Sequence, residues 1–284
     1  MLEERRIGKA KVTAFLDAIN LITPDLIPEA DCEEGHEIYR LHALSSKEAI
    51  PSPMQAFLLA MPAEKGGENF YLVDAGCGGH MGPRFGRSYK SFVKAGYDPK
   101  AVSRVFLTHF HPDHVGGVID LEGKKLYPNA VLTMSRLEFA FWNNEFNASR
   151  FPDLKPYFAA VQKVLKAYEG QIQPVEWGEE VEKGVKLVAL PGHTPGHSGV
   201  MLESDGEKLL IWGDIIHAAE FQLPYPHWCI GYDLDRETAL KTRLETLKKL
   251  SESDIVAAGP HVFGSGVIRS NGKGGYRMED TQEN

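Results

Sequence analysis

Between residues 108 and 117 the chain reads Thr-His-Phe-His-Pro-Asp-His-Val-Gly-Gly, which brings His109, His111, Asp113 and His114 within six positions. Three imidazoles and a carboxylate packed this closely repel and desolvate one another. A fold that buries them needs a compensating charge, and a divalent cation supplies it. The run follows an apolar, β-branched segment, residues 102–108, so it reads as the loop at a strand's C-terminal end. Pro112 restrains the backbone entering Asp113, and Gly116 with Gly117 permits a tight exit. One loop histidine is usually a solvated or capping residue. The HxHxDH spacing in a strand–loop context is a metal-binding pattern.

The same order, strand and then donor, recurs three times. His193 lies in Pro-Gly-His-Thr-Pro-Gly-His (191–197) after a strand-like segment. Asp214 ends the apolar run 209–213, and His261 follows 255–260. Each alone is ambiguous, and His261 alone would be read as structural. Together they predict strand ends converging on one metal-binding edge. Pro195-Gly196 fits a type II turn with positive φ at the glycine. His197 reads as a structural histidine rather than a ligand.

Strand-like segments are expected at 12–18, 37–41, 55–61, 70–75, 102–108, 130–134, 185–190, 198–203, 208–213 and 255–258. Helices are expected over 154–168, stopped by Gly170, and over 240–250 behind Asp235 as N-cap. Ser135 with Glu138 reads as a capping box opening a helix through Phe146. Strands in runs with amphipathic helices between them imply two packed sheets covered by helices, an α+β architecture. No repeat or composition break marks a linker, so residues 1–284 are expected to form a single domain.

With 43% hydrophobic and 25% charged residues, the 284-residue chain has enough apolar material for a large core. Its net charge of -8 disfavours a phosphate backbone as partner, so a small molecule is expected and nucleic acid is not. Cys32, Cys77 and Cys229 form neither a disulfide framework nor a CxxC site and read as small buried hydrophobes in a reducing compartment. No export signal and no bilayer-length apolar run is visible, which predicts a cytoplasmic protein without membrane contact. Exposed aromatic residues leave room for a homodimer.

HFHPDH, then Gly-His, Gly-Asp and a final His in this order resemble the metallo-β-lactamase superfamily over residues 12–277. The resemblance implies a four-layer αβ/βα sandwich with the site along one edge of the two sheets. More closely, AGCGGHMGPRFGR (75–87), GHTPGH (192–197), GDIIHAAEFQ (213–222) and GKGGYR (272–277) resemble methyl parathion hydrolase and its relatives, which hydrolyse phosphotriesters and aryl esters, and related lactonases. Asp214 stands where class B β-lactamases often use Cys, which argues against a β-lactamase. His111 replaces the Glu of flavodiiron enzymes, which argues against iron redox chemistry.

The resemblance further implies that His109, His111 and His193 hold one metal ion, that Asp113, His114 and His261 hold a second, and that Asp214 bridges them. Zinc is the expected metal, with manganese, iron and cobalt also compatible with the ligands. Two such ions share a bridging water that ionises near neutral pH. Asp113 and Asp214 are then the catalytic carboxylates, Asp113 as ligand and candidate proton shuttle. Trp142, Met81 (where the subgroup has Phe), His217 and Phe221 are the expected substrate contacts, in a pocket for a hydrophobic, uncharged ester, lactone or organophosphate. Phe139, Trp142 and Phe146 form one stripe of the expected 135–146 helix, and Leu137 with Phe141 form another. The alternatives are a thioesterase or glyoxalase-II-like hydrolase, and a non-catalytic ligand sensor that keeps its metals.

Overall fold

The computed structural model describes residues 2–41 and 49–281. Its centre is two seven-stranded sheets packed face to face. The first runs in chain order through β1 (Leu2–Ile7), β2 (Ala10–Ile22), β3 (Ile50–Pro62), β4 (Glu68–Val73), β5 (Val102–Phe106), β6 (Val131–Ser135) and β7 (Ile172–Val175). β1 to β4 pair antiparallel, whereas β4 to β7 pair parallel. The second sheet comprises β8 (Glu180–Glu182), β9 (Val185–Ala189), β10 (Ser198–Ser204), β11 (Glu207–Ile211), β12 (Val256–Ala258), β13 (Ser265–Ser270) and β14 (Tyr276–Glu279). In it, only β11 and β12 pair parallel.

Eight α-helices accompany the sheets among the described residues: α1 (Glu33–Leu41), α2 (Ser88–Lys94), α3 (Pro112–Val115), α4 (Arg136–Trp142), α5 (Glu145–Arg150), α6 (Lys155–Ala167), α7 (Ala219–Gln222) and α8 (Arg236–Ser251). None is long and apolar enough to cross a membrane.

Strand periodicity explains the layers. Phe57 and Leu59 of β3 point between the sheets and meet Val200, Leu202 and Ile211. Leu58, on the opposite face, joins Leu72, Val105 and Leu132 beneath Phe92 of α2 and Phe158, Val161 and Leu165 of α6. On the far side, Leu210 and Ala257 pack beneath Leu247 and Leu250 of α8. A strand covered on both faces carries a continuous apolar run rather than an alternating one, as β3 does. The result is the expected helix–sheet–sheet–helix sandwich.

Three local departures from the sequence expectation have a clear physical cause. Residues 37–41, expected as a strand, belong to α1, where Arg40 pairs with Glu33 and Glu37 across the helix surface and Glu33 and Glu34 favour the helix N-terminus. The helix expected through Phe146 stops at Trp142, and Asn144 caps a new one by accepting from Phe146 N–H at 2.9 Å. Gly196 does not have positive φ. A Cβ there would instead lie 2.0 Å from Glu138 N, so close approach is what requires the glycine.

β5, β9, β11 and β12 end at the same edge of the sandwich. The two sheets are joined there by Ser198 N–H donating to Thr108 C=O at 2.9 Å. The loops leaving those four strands carry every expected metal ligand.

Candidate metal centre

The seven side chains meet. His109, His111, His193 and Asp214 present donor atoms within 4.8 Å of one another, as do Asp113, His114 and His261; a third grouping joins Asp214, His217 and His261. All are buried except Asp113, which is 15% exposed and faces the opening.

Four of the ligand histidines are aimed by what their Nδ1 touches. His109 Nδ1 lies 3.0 Å from Thr108 Oγ1, whose own hydrogen goes to Asp74 Oδ2 at 2.8 Å. His114 Nδ1 lies 2.8 Å from the other side of Asp74 Oδ2. His193 Nδ1 reaches Asp233 Oδ1 at 3.0 Å, and His261 Nδ1 reaches the Pro53 carbonyl at 2.9 Å. These acceptors fix the proton on Nδ1 and leave each Nε2 with a lone pair directed inward. Asp74 does this from φ 57, a left-handed conformation that Asp tolerates better than most residues.

The inward atoms lack adequate partners. Buried His109 Nε2, His114 Nε2, His261 Nε2 and Asp214 Oδ1 make no hydrogen bond among the described residues, and His111 Nδ1 faces His193 Nε2 at 2.9 Å. They are nevertheless close. Asp214 Oδ2 lies 3.3 Å from His193 Nε2 and from His261 Nε2, and Asp214 Oδ1 lies 3.3 Å from His114 Nε2. Asp113 Oδ2 stands 3.4 Å from both His114 Nε2 and His261 Nε2. Ligands bound tetrahedrally at about 2.0–2.1 Å are separated by about 3.3–3.4 Å. The spacing is long for a hydrogen bond and suits a shared cation. Buried, unpaired and correctly spaced donors in two groups joined by Asp214 fit two divalent metal ions.

Electrostatics agree. Burial and the neighbouring imidazoles hold His109 and His111 well below the usual histidine range, in the neutral form a ligand needs. Burial opposes the Asp214 charge, but His114, His261, His109 and His217 outweigh it and hold the carboxyl well below its ordinary value. Burial also opposes a proton on His193. Asp214 and Asp233 overcome it and lift the group to about 9, so in the cation-free cluster a proton takes the place of the ion.

His197 is not part of this donor set. Its Nδ1–H donates to Leu190 C=O at 2.6 Å and its Nε2 accepts from Asp214 N–H at 2.8 Å. Both nitrogens are spent on one neutral tautomer, and burial, the largest influence, pushes its pKa down to about 3. Gly213, at φ 58, stands against this ring, where a Cβ would sit 2.4 Å from Nε2.

A cavity of about 230 Å³ opens over the donors, lined by His111, Asp113, His193, Asp214, His217 and His261 at its floor and by Asn20, Ile22, Met54, Met81, Leu154, Tyr157, Tyr232 and Leu234 on its walls. No Lys or Arg lines it among the described residues. Of the four expected substrate contacts, Met81 and His217 reach this cavity and Trp142 and Phe221 do not. Trp142 is fully buried behind His111, with ring centroids 5.8 Å apart and planes at 82°. Phe221 packs against Tyr39 and Trp228. Residues 231–234 supply the wall on that side. His217 Nε2 lies 3.0 Å from Asp214 Oδ2, and its ring stacks on His261 at 4.9 Å.

The sequence does not mark Asp74 or Asp233 and offers Glu138 only as a capping-box partner. Glu138 is fully buried. Its Oε1 accepts from Phe110 N–H (2.9 Å) and Trp142 Nε1–H (2.7 Å), and its Oε2 from Thr194 Oγ1–H (2.6 Å) and Gly196 N–H (3.1 Å). Phe110 lies between two ligands and Thr194 follows a third, so one carboxylate clamps both loops. Burial raises its pKa despite these four donors.

The family model described as metallo-beta-lactamase superfamily matches residues 56–259, which contain every expected metal ligand except His261. The chain belongs to the metallo-beta-lactamase superfamily. The solved structure of AbOPH, described as a hydrolase in the beta lactamase superfamily, is similar at a TM-score of 0.89 and 28% identity, covering 100% of this chain and 98% of its own. AidC, a dizinc quorum-quenching lactonase solved with the product N-hexanoyl-L-homoserine, is similar at a TM-score of 0.88 and 26% identity over 99% of this chain and 98% of its own. Among curated relatives, the ribonuclease TTHA0252 of Thermus thermophilus is 32% identical over 158 residues, 53% of this chain. The match spans 34% of that ribonuclease's own length.

Proposed function

We propose that the protein is a metal-dependent hydrolase that opens a neutral, hydrophobic lactone or related ester, with two divalent ions held by His109, His111, His193 and by Asp113, His114, His261, and Asp214 shared between them. The observation that carries this reading is a small cavity, lined in part by Ile22, Met54, Met81, Leu154 and Leu234 and free of Lys and Arg among the described residues, whose floor is the donor cluster. When bound, such ions polarise a carbonyl and bring the pKa of a water toward neutrality.

The chain's own groups do the rest. Met54, Ile22, Leu154 and Leu234 give an acyl chain an apolar wall, and a chain seated there displaces water from above the floor. Asp113, the most exposed donor, is placed to carry a proton between the floor and solvent. His217 Nε2–H holds Asp214 Oδ2 and so keeps that carboxylate in its shared orientation. The three acidic groups of the cavity, Asp113, Asp214 and Asp233, disfavour a carboxylate product once the ester is opened.

AidC's bound acyl-homoserine product supports the lactone assignment. The ribonuclease relative raises a nuclease reading, but a nucleic-acid path needs cationic side chains to meet phosphates, and none lines this cavity among the described residues. A sensor with the same metals and no turnover is the remaining class.

The test is a panel of N-acyl homoserine lactones, aryl esters, acyl thioesters, phosphotriesters and single-stranded RNA, with the metal-loaded protein. The highest kcat/KM is expected for a lactone with an acyl chain, and no cleavage of RNA. Turnover of RNA with all lactones inert would overturn the proposal. No turnover of any substrate by protein holding two ions would favour the sensor.

A further inference from the structure

Helix α8 buries one arginine. Arg243 is 1% exposed on a helix that otherwise packs Leu247 and Leu250 onto the second sheet. Burying a guanidinium costs several kcal/mol unless its donors are all met, and an aliphatic side chain would fill the space without that cost. What the charge achieves is seen in its partners. Nε donates to Ile215 C=O at 2.9 Å, and one terminal nitrogen donates to Trp228 C=O at 2.8 Å and Pro226 C=O at 3.2 Å. The other donates to Asp233 Oδ2 at 3.2 Å.

Every acceptor lies on a segment that reaches the metal centre. Ile215 follows Asp214. The 226–228 carbonyls lead into the cavity wall at 231–234. Asp233 belongs to that wall, and its other oxygen fixes the Nδ1–H of His193 at 3.0 Å. With that proton fixed, His193 Nε2 presents its lone pair 3.3 Å from Asp214 Oδ2 and 2.9 Å from His111 Nδ1.

We propose that Arg243 is a positioning residue that, through Asp233 and the Ile215 carbonyl, sets His193 and Asp214 in register for one shared ion and fastens the substrate wall to the same frame. This rests on the metal-centre reading above. A carboxylate that orients a ligating histidine typically alters metal affinity 10–100-fold when lost. The guanidinium extends that support one layer outward, where no substrate or ion is touched.

The experiment uses the full chain with zinc as the probe. Wild type, Arg243→Met, Asp233→Asn and the double variant are equilibrated with zinc against graded chelator, the retained zinc is counted by elemental analysis, and melting temperature is followed without metal. Wild type should retain two zinc ions. Each single variant should release one of them at roughly tenfold or more lower chelator concentration, while the other is held more tightly. Removing both members of the pair leaves no unpaired buried charge, so the double variant should melt above Arg243→Met yet still release its first ion early. That separation distinguishes positioning from scaffolding alone.

Recovery of first-ion affinity together with melting temperature in the double variant would overturn the proposal, as would wild-type retention of both ions in Arg243→Met. If Arg243→Met does not fold, Asp233→Asn decides, and wild-type retention in it overturns the claim. Failure of wild type itself to take up zinc overturns the metal-centre reading and this inference together. Two ions in wild type with unaffected variants overturns this inference alone.

Discussion

The two halves of the donor cluster are steadied by different parts of the protein. On the Asp113/His114/His261 side the supports belong to strands or their ends: Asp74 directly follows β4, and Pro53 lies within β3. On the His109/His111/His193 side, only His109 is tied to a strand end, through Thr108 and Asp74. His193 depends on Asp233 in the cavity wall, and the loops bearing all three histidines depend on Glu138 of α4. One half takes its rigidity from backbone ladders. The other is held by buried carboxylates borne on elements outside the sheets, one of which also meets substrate space. A single substitution in those elements should therefore loosen that side more than the other.

Replacing the residue that both halves share should abolish the distinction. Asp214→Ala is expected to lose both ions and hydrolysis together, read by elemental analysis and assay of the same sample; two ions and full turnover in that variant would refute the assignment. Asp74→Ala should come next, because it strips acceptors from Thr108 and His114. It should weaken metal binding on both sides, and stability should fall by about 3 kcal/mol, the scale for unpairing a buried hydrogen-bonded network, measured by denaturant unfolding of the apoprotein.

Glu138→Gln sharpens the comparison. It keeps the volume but sets an amide NH2 against donors that need an oxygen, so the His109/His111/His193 side should bind its ion roughly tenfold more weakly, with the other ion, whose Asp113 and His114 share the 108–114 loop, weakened less in chelator titration. Equal loss of both ions would show that the loops do not move independently. The smallest effect is expected from Trp142→Phe, which removes one hydrogen bond to Glu138. About 1 kcal/mol of stability should go, while KM for lactones stays unchanged because the ring does not line the cavity. A raised KM would place Trp142 against substrate after all.

The donor loop was legible because its chemistry is local: four ligand groups within six residues admit few structural readings. His193, Asp214 and His261 followed from the repeated strand-then-donor order. The supports were not legible, since their partners are distant in sequence. Ser135 does cap α4, accepting from Glu138 N–H at 3.1 Å, but the Glu138 carboxylate turns away from the cap to residues 110, 142, 194 and 196. Local spacing cannot distinguish those two uses of one glutamate. Similarly, Trp142 lies on an apolar helix stripe whether it faces substrate or the back of His111. The missed strands β1, β7, β8, β13 and β14 lie at or beside sheet edges or termini, where polar residues guard open hydrogen-bonding groups and blur alternation. Among inner strands, the expected 55–61 and 102–108 segments fall on β3 and β5, where burial on both faces leaves an apolar signature.

The most direct test is the zinc content of wild-type chain after exhaustive loading and removal of free metal. Two ions per chain are predicted, each released when His193 or His114 in turn is replaced by alanine. A loaded wild-type protein with no stoichiometric ion would contradict the account at its root.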